Sequence, residues 1–108
     1  LEALDLNFGH NKVDSCGLAR FGSGLKVFSQ LTSLTLDLDS NEISCEGLSG
    51  LGDHLKALPK MTSLSLDFSG NEIASEGVVR LASGVGCLVE LTALDLNLGD
   101  NQIEVDGL

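Results

Sequence analysis

The chain has 108 residues, room for one domain with a core of its own. Its 43% hydrophobic content excludes a disordered chain, and its apolar runs are far too short for a membrane-spanning helix. A net charge of -10, from 16 acidic against 6 basic residues, excludes partners bound through Lys and Arg, namely nucleic acid and an anionic membrane surface.

The first residues alternate. Leu4, Leu6 and Phe8 are apolar, and Asp5 and Asn7 between them are polar. A period of two predicts a strand with one buried face. Asn11, Val13 and Gly17 follow as a turn. Leu18, Phe21, Leu25 and Phe28 then recur at steps of three and four, which predicts a helix with one apolar stripe. Thirty residues on, the order returns as Leu34, Leu36 and Leu38, then Asn41, Ile43 and Gly47, then Leu48, Leu51, Leu55 and Leu58. It returns again as Leu64, Leu66 and Phe68, then Asn71, Ile73 and Gly77, then Val78, Leu81, Val85 and Leu88. Leu94, Leu96, Leu98, Asn101, Ile103 and Gly107 begin a fourth round, and Leu1, Leu31, Met61 and Leu91 open the four rows. No insertion or deletion interrupts the period. The expected organisation is one α/β domain over 1–108, with repeats 1–30, 31–60, 61–90 and a partial 91–108. Because the pattern starts in a strand and has no polar capping unit, the chain is expected to be a fragment of a longer stack.

One such unit cannot bury both its strand face and its helix stripe. Stacked units can, with a parallel sheet on one side and helices on the other. A chain leaving a parallel strand strands backbone groups inside the stack, at about 1–3 kcal/mol for each buried unpaired group. The amides of Asn11, Asn41, Asn71 and Asn101 carry donors and an acceptor, so they are expected to form a structural ladder pairing groups on their own and the next coil. The Gly17, Gly47, Gly77 and Gly107 column implies a special backbone conformation or a close approach. Glu46-Gly47, Glu76-Gly77 and Asp106-Gly107 are expected to place an acid just before each helix, at the positive end of its dipole. Gly22-Ser23-Gly24 lacks a preceding strand, so it is not a phosphate loop and is expected to let helices pack closely.

The stretches LTSLTLDLDSNEISCEGL and LTALDLNLGDNQIEVDGL resemble the leucine-rich-repeat family, whose signature runs L-x-x-L-x-L-x-x-N-x-L. The resemblance covers the whole chain, and the long helical half resembles the ribonuclease-inhibitor-like subclass. One departure is visible: aligned on the Asn, the first Leu of the signature falls on Ala3, Ser33, Ser63 and Ala93, and Leu4 becomes an extra inward residue that lengthens the strand. The resemblance implies a right-handed leucine-rich-repeat solenoid, a horseshoe arc with its parallel sheet on the concave side and helices on the convex side. It also implies protein binding at the concave face, as a scaffold or structural subunit of a larger assembly. The alternative within the same family is a regulatory domain, a small-GTPase regulator or sensor. No Arg occupies the strand-to-turn loops where such a regulator would be expected to carry one.

Charge is unevenly spread. The strand-and-turn halves hold Glu2, Asp5, Asp14, Asp37, Asp39, Glu42, Asp67, Glu72, Asp95, Asp100 and Glu104 against the single base Lys12. The helix halves hold Glu46, Asp53, Glu76, Glu90 and Asp106 against Arg20, Lys26, Lys56, Lys60 and Arg80, which balance. The outward strand positions Asp5, Asn7, Thr35, Asp37, Ser65, Asp67, Asp95 and Asn97 form two adjacent polar columns. They are either a docking face for a basic protein segment or a solvated face kept soluble by small polar side chains. The four Phe residues sit in apolar columns and are assigned to the core, and Trp and Tyr, the usual aromatic anchors of interfaces, are absent from the chain.

No cofactor, catalytic group or metal site is expected. Asp37, Asp39 and Asp67 lie on a flat face, whereas Ca²⁺ takes about six to eight oxygens from a wrapped loop. His10 and His54 fall in different halves of the repeat, and no nucleophile, base and orienting acid can be assembled. Cys16, Cys45 and Cys87 are an odd set at unrelated repeat positions, expected to be reduced thiols of an intracellular protein, cytoplasmic or within an organellar complex.

Overall fold

The computed structural model describes residues 2–103. Leu1, Glu104, Asp106, Gly107 and the helix expected after the fourth turn lie outside the described residues. Strands β1 (Ala3–Asn7), β2 (Ser33–Asp37), β3 (Ser63–Asp67) and β4 (Ala93–Asn97) alternate with helices α1 (Ser15–Leu25), α2 (Cys45–Leu55) and α3 (Ser75–Val85). The strands form one parallel sheet in the order β1-β2-β3-β4. Pairing is in repeat register, with Leu4 beside Leu34, Leu34 beside Leu64 and Leu64 beside Leu94. Consecutive helices pack on one another in the second layer.

The core lies between sheet and helices. Leu34, Leu36, Leu38 and Ile43 of the second coil, with Leu64, Leu66, Phe68 and Ile73 of the third, are buried against Leu48, Leu51, Leu55 and Leu81 of the helices. Burying each such side chain contributes roughly 1.5–3 kcal/mol. Leu34 and Leu64 point inward, as the lengthened strand requires. Phe68 is fully buried, and Phe8, Phe21 and Phe28 pack against the core from its margin.

Several expectations change in detail. The strands stop one residue short of Phe8, Leu38 and Phe68, yet the ladder runs on through Phe8 N to Asp37 O at 2.8 Å and Leu38 N to Asp67 O at 2.7 Å. The α-helices end at Leu25, Leu55 and Val85, so Phe28, Leu58 and Leu88 lie past them; Phe28 is in a short 3-10 turn, Lys26–Phe28. Leu58 and Leu88 are still buried. Their side chains close the bottom of the core from the return loop, where period alone could not separate a last helical turn from a turn beyond it. Glu46 and Glu76 sit inside the first turn of α2 and α3 rather than before it. The acid ahead of a helix is Asp14, which caps α1 by accepting the Gly17 N–H at 2.9 Å.

The Asn ladder is present, but it reaches backward. Asn41 Oδ1 accepts Asn11 N at 3.1 Å and Val13 N at 2.8 Å, both on the preceding coil. Its Nδ2 donates to Phe8 O of that coil and to Leu38 O and Asp39 O of its own. Asn71 repeats the set with Ile43 N, Leu38 O, Phe68 O and Ser69 O. Asn101 repeats it with Ile73 N, Phe68 O, Leu98 O and Gly99 O. The side chain of Asn11, in the first coil, is exposed and among the described residues bonds only Gly9 O.

The glycine column is a matter of close approach. A Cβ on Gly47 would meet Ile43 Cγ2 at 2.9 Å and Ser15 Oγ at 3.0 Å, and one on Gly77 would meet Cys45 Cα at 3.1 Å. Gly17, Gly47 and Gly77 do not have a positive φ. Left-handed backbone instead falls at the turn positions His10, Ser40, Gly70 and Asp100, and at Lys12. In the Gly-Ser-Gly stretch only Gly22 is crowded, by the His54 ring at 2.7 Å; Gly24 faces open space. Gly84 occupies the same repeat position as Gly24, and its Cβ would collide with the Gly52 carbonyl oxygen of α2.

Two stability predictions follow from this packing. Asn71→Leu strands the Ile43 N–H and three carbonyls in the core, so urea denaturation should show a loss of about 3 kcal/mol. Asn11→Ala should lose less than about 0.5 kcal/mol. Gly24→Ala should stabilise by roughly 0.5–1 kcal/mol through helix propensity, whereas Gly84→Ala should cost about 1–3 kcal/mol by pushing α2 and α3 apart. Equal effects at Gly24 and Gly84 in thermal unfolding would show that the helix contact is not what sets them.

Candidate protein-binding face

In a strand, alternate side chains leave on opposite faces. With Leu4, Leu6 and their counterparts turned inward, the outer face carries the third, fifth and seventh residue of each repeat. Parallel register then lines them up across four strands about 4.8 Å apart. Asp5 stands beside Thr35, Thr35 beside Ser65 and Ser65 beside Asp95. Asn7 stands beside Asp37, Asp37 beside Asp67 and Asp67 beside Asn97. Asp5, Asn7, Asp95 and Asn97 are exposed, and Thr35, Asp37, Ser65 and Asp67 are half-buried.

The two columns do different work. The seventh position turns the chain out of the strand. Asn7 Oδ1 accepts Gly9 N at 2.9 Å, Asp37 Oδ1 accepts Asp39 N at 3.0 Å, and Asn97 Oδ1 accepts Gly99 N at 3.0 Å. Asp67 Oδ1 accepts both Ser69 N at 3.0 Å and Ser69 Oγ at 2.7 Å. These are Asx turns, in which a short side chain substitutes for a backbone acceptor. Asp5, Thr35, Ser65 and Asp95 of the fifth column make no side-chain hydrogen bond or ion pair among the described residues. The Oδ2 atoms of Asp37 and Asp67 are likewise without a bond. Each strand thus presents one carboxylate: Asp5, Asp37, Asp67 and Asp95.

Sequence reasoning missed the third column. Ala3, Ser33, Ser63 and Ala93 belong to the same face, and the alternation that assigned the other two columns already placed them there. It also missed the rim contact between coils, His10 Nε2 to Asp39 Oδ2 at 3.3 Å. His54 packs over Gly22 in the helix layer, so the two histidines do not converge. No group of three or more His, Cys, Asp or Glu could hold a metal ion among the described residues. The Oδ1 atoms of Asp37 and Asp67 are occupied by their own turns, so a cation would have to compete with N–H donors for them.

The helical side carries a separate recess of about 460 Å³ between α2 and α3, lined by Cys45, Glu46, Ser49, Gly50, Asp53, Glu76 and Arg80. Its charge is partly compensated, since Arg80 Nη2 pairs with Glu76 Oε1 at 3.1 Å. The three cysteines are free, and Cys45 Sγ donates to Ala74 O at 3.7 Å. No helix among the described residues is long and apolar enough to cross a membrane.

Parallel strands alternating with helices in strict thirty-residue register define an α/β repeat protein. Residues 30–52 and 60–82, which span the β2–α2 and β3–α3 coils, both match the Leucine Rich repeat family. These two adjacent coils are leucine-rich repeats, of a family whose repeats commonly mediate protein–protein contacts. No curated protein matches the chain.

The division of labour between the columns is measurable. Asp67→Ala should destabilise by about 1 kcal/mol, because two donors of Ser69 lose their acceptor, while Asp67→Asn keeps it and should stay near wild type. Asp5→Ala should change the denaturation midpoint by no more than an ordinary surface substitution.

Proposed function

We propose that the outer sheet face docks a basic segment of a protein partner, and that the chain works as a non-catalytic scaffold or structural subunit of a larger intracellular assembly. The observation that carries this reading is the fifth column, whose side chains cross four strands without an intramolecular bond. Conformational order is already supplied by the sheet, so a partner need not freeze these groups. The free Oδ2 atoms of Asp37 and Asp67 add two acceptors for charge-assisted bonds. The whole net charge of -10 resides on the strand-and-turn halves of the repeats, which steers a cationic segment toward this side. With no Trp or Tyr, the face offers no aromatic anchor, so recognition rests on carboxylates and small hydroxyls. The long helical half supports placement in the ribonuclease-inhibitor-like subclass, with the sheet on the inside of a right-handed arc. The free thiols support a reducing compartment.

Contacts between exposed charges are screened over roughly 8 Å at physiological salt. Titration of a fluorescent Lys/Arg-rich peptide should therefore show binding that weakens steeply as salt rises. Thr35→Lys, in the centre of the face, should weaken binding about tenfold, near 1.4 kcal/mol. Ser23→Lys adds the same charge on the exposed side of α1 and should change it less than about twofold. Equal losses from the two variants would sink the docking face and leave only non-specific attraction to an acidic protein.

A further inference from the structure

The outer sheet face offers a partner side chains but no backbone. Strands β2 and β3 are paired on both sides in residue-for-residue register, so the ladder takes up their N–H and C=O groups. An extended segment crossing these strands would find no main-chain partner there. Its own N–H and C=O groups would go unpaired wherever the contact displaces water, which costs free energy. A helix pairs those groups within itself.

The dimensions of the face agree. From the third column to the seventh is about 13 Å along a strand, and a helix with its side chains is about 10–12 Å wide. The floor of that strip in the inner coils is small and half-buried: Ser33, Thr35, Ser63 and Ser65. Across the strands the uncommitted carboxylate oxygens come one strand at a time, from Asp5, from Oδ2 of Asp37, from Oδ2 of Asp67 and from Asp95. At a strand spacing of about 4.8 Å, they follow one another at about 0, 5, 10 and 14 Å across the sheet. In a helix, residues i, i+3, i+7 and i+10 share one side and lie at about 0, 4.5, 10.5 and 15 Å along the axis, each within about 1 Å of one strand. On an extended segment, same-side residues recur every 6.7 Å or about that, so three of them cover the span of four carboxylates and the middle one falls between Asp37 and Asp67.

We infer that the basic segment docked on this face is an α-helix lying across the strands, with one Lys or Arg per turn, at i, i+3, i+7 and i+10, opposite Asp5, Asp37, Asp67 and Asp95. The helix rests on the docking role proposed above and adds to it the conformation and spacing required of the partner. Its Lys or Arg stems lie over the small hydroxyl columns, and their charged heads reach the carboxylates. Asp37 and Asp67 keep their turns while they bind, because each turn uses Oδ1 and leaves Oδ2.

Two labelled peptides of the same Lys, Ala and Gln content, and so the same charge, test this by fluorescence anisotropy. One carries Lys at i, i+3, i+7 and i+10. The other carries Lys at i, i+2, i+4 and i+6, which lines them up on an extended chain and scatters them around a helix. The first should bind about tenfold more tightly, and the mixture should show more helical circular dichroism than the sum of its parts. Asp67→Asn keeps the acceptor for Ser69 and removes the charge, so it should weaken the first peptide about three- to tenfold. Equal affinities, tighter binding of the second peptide, or binding of the first without added helix would overturn the helix and leave the docking face standing. If neither peptide binds, the docking face falls and the helix with it.

Discussion

Everything in this fold depends on closing the backbone where each strand turns away from the sheet. A parallel ladder satisfies residues inside the strand, but the chain must leave it inside a stack that excludes water. Asn41 and Asn71 meet that constraint with one side chain each, holding three carbonyls and taking N–H groups from the coil before. Both are buried, yet no buried side-chain polar atom is left without a partner among the described residues. Because each amide is shared between coils, the repeat period and the stacking register become one property.

The apolar packing inherits that register. Leucines in the same column stack, and glycines appear where the preceding coil comes closest. Gly47 and Gly77 admit the coil behind them, and Gly52 and Gly84 let α2 and α3 touch backbone to backbone. In the first and fourth coils the same residue types are less covered: Leu94 and the Phe8–Phe21 pair, with ring centroids 6.0 Å apart, are more exposed than their counterparts.

The outer sheet face is what this arrangement leaves over. Part of it is not free: the seventh position is committed to Asx turns, so its polar side chains are needed for the fold whether or not anything binds. The fifth position has no such duty, which makes Asp5, Thr35, Ser65 and Asp95 the residues whose chemistry is open to a partner. That separates two groups that share composition and exposure.

Much of the architecture was legible in the chain itself. Thirty-residue columns of Leu, Asn and Gly, with period two passing into steps of three and four, determine strand, turn and helix, because each period follows from backbone geometry alone. The outward positions of the face were legible for the same reason. The tertiary structure decided the rest. It set the backward reach of the Asn amides, since a side chain's direction along a stack is not encoded in its spacing. It ended the helices before Phe28, Leu58 and Leu88, since an apolar residue in a return loop can be as buried as one on a helix. And it divided the two polar columns, since whether Asp37 faces solvent or caps its own turn depends on where the next two backbone N–H groups point.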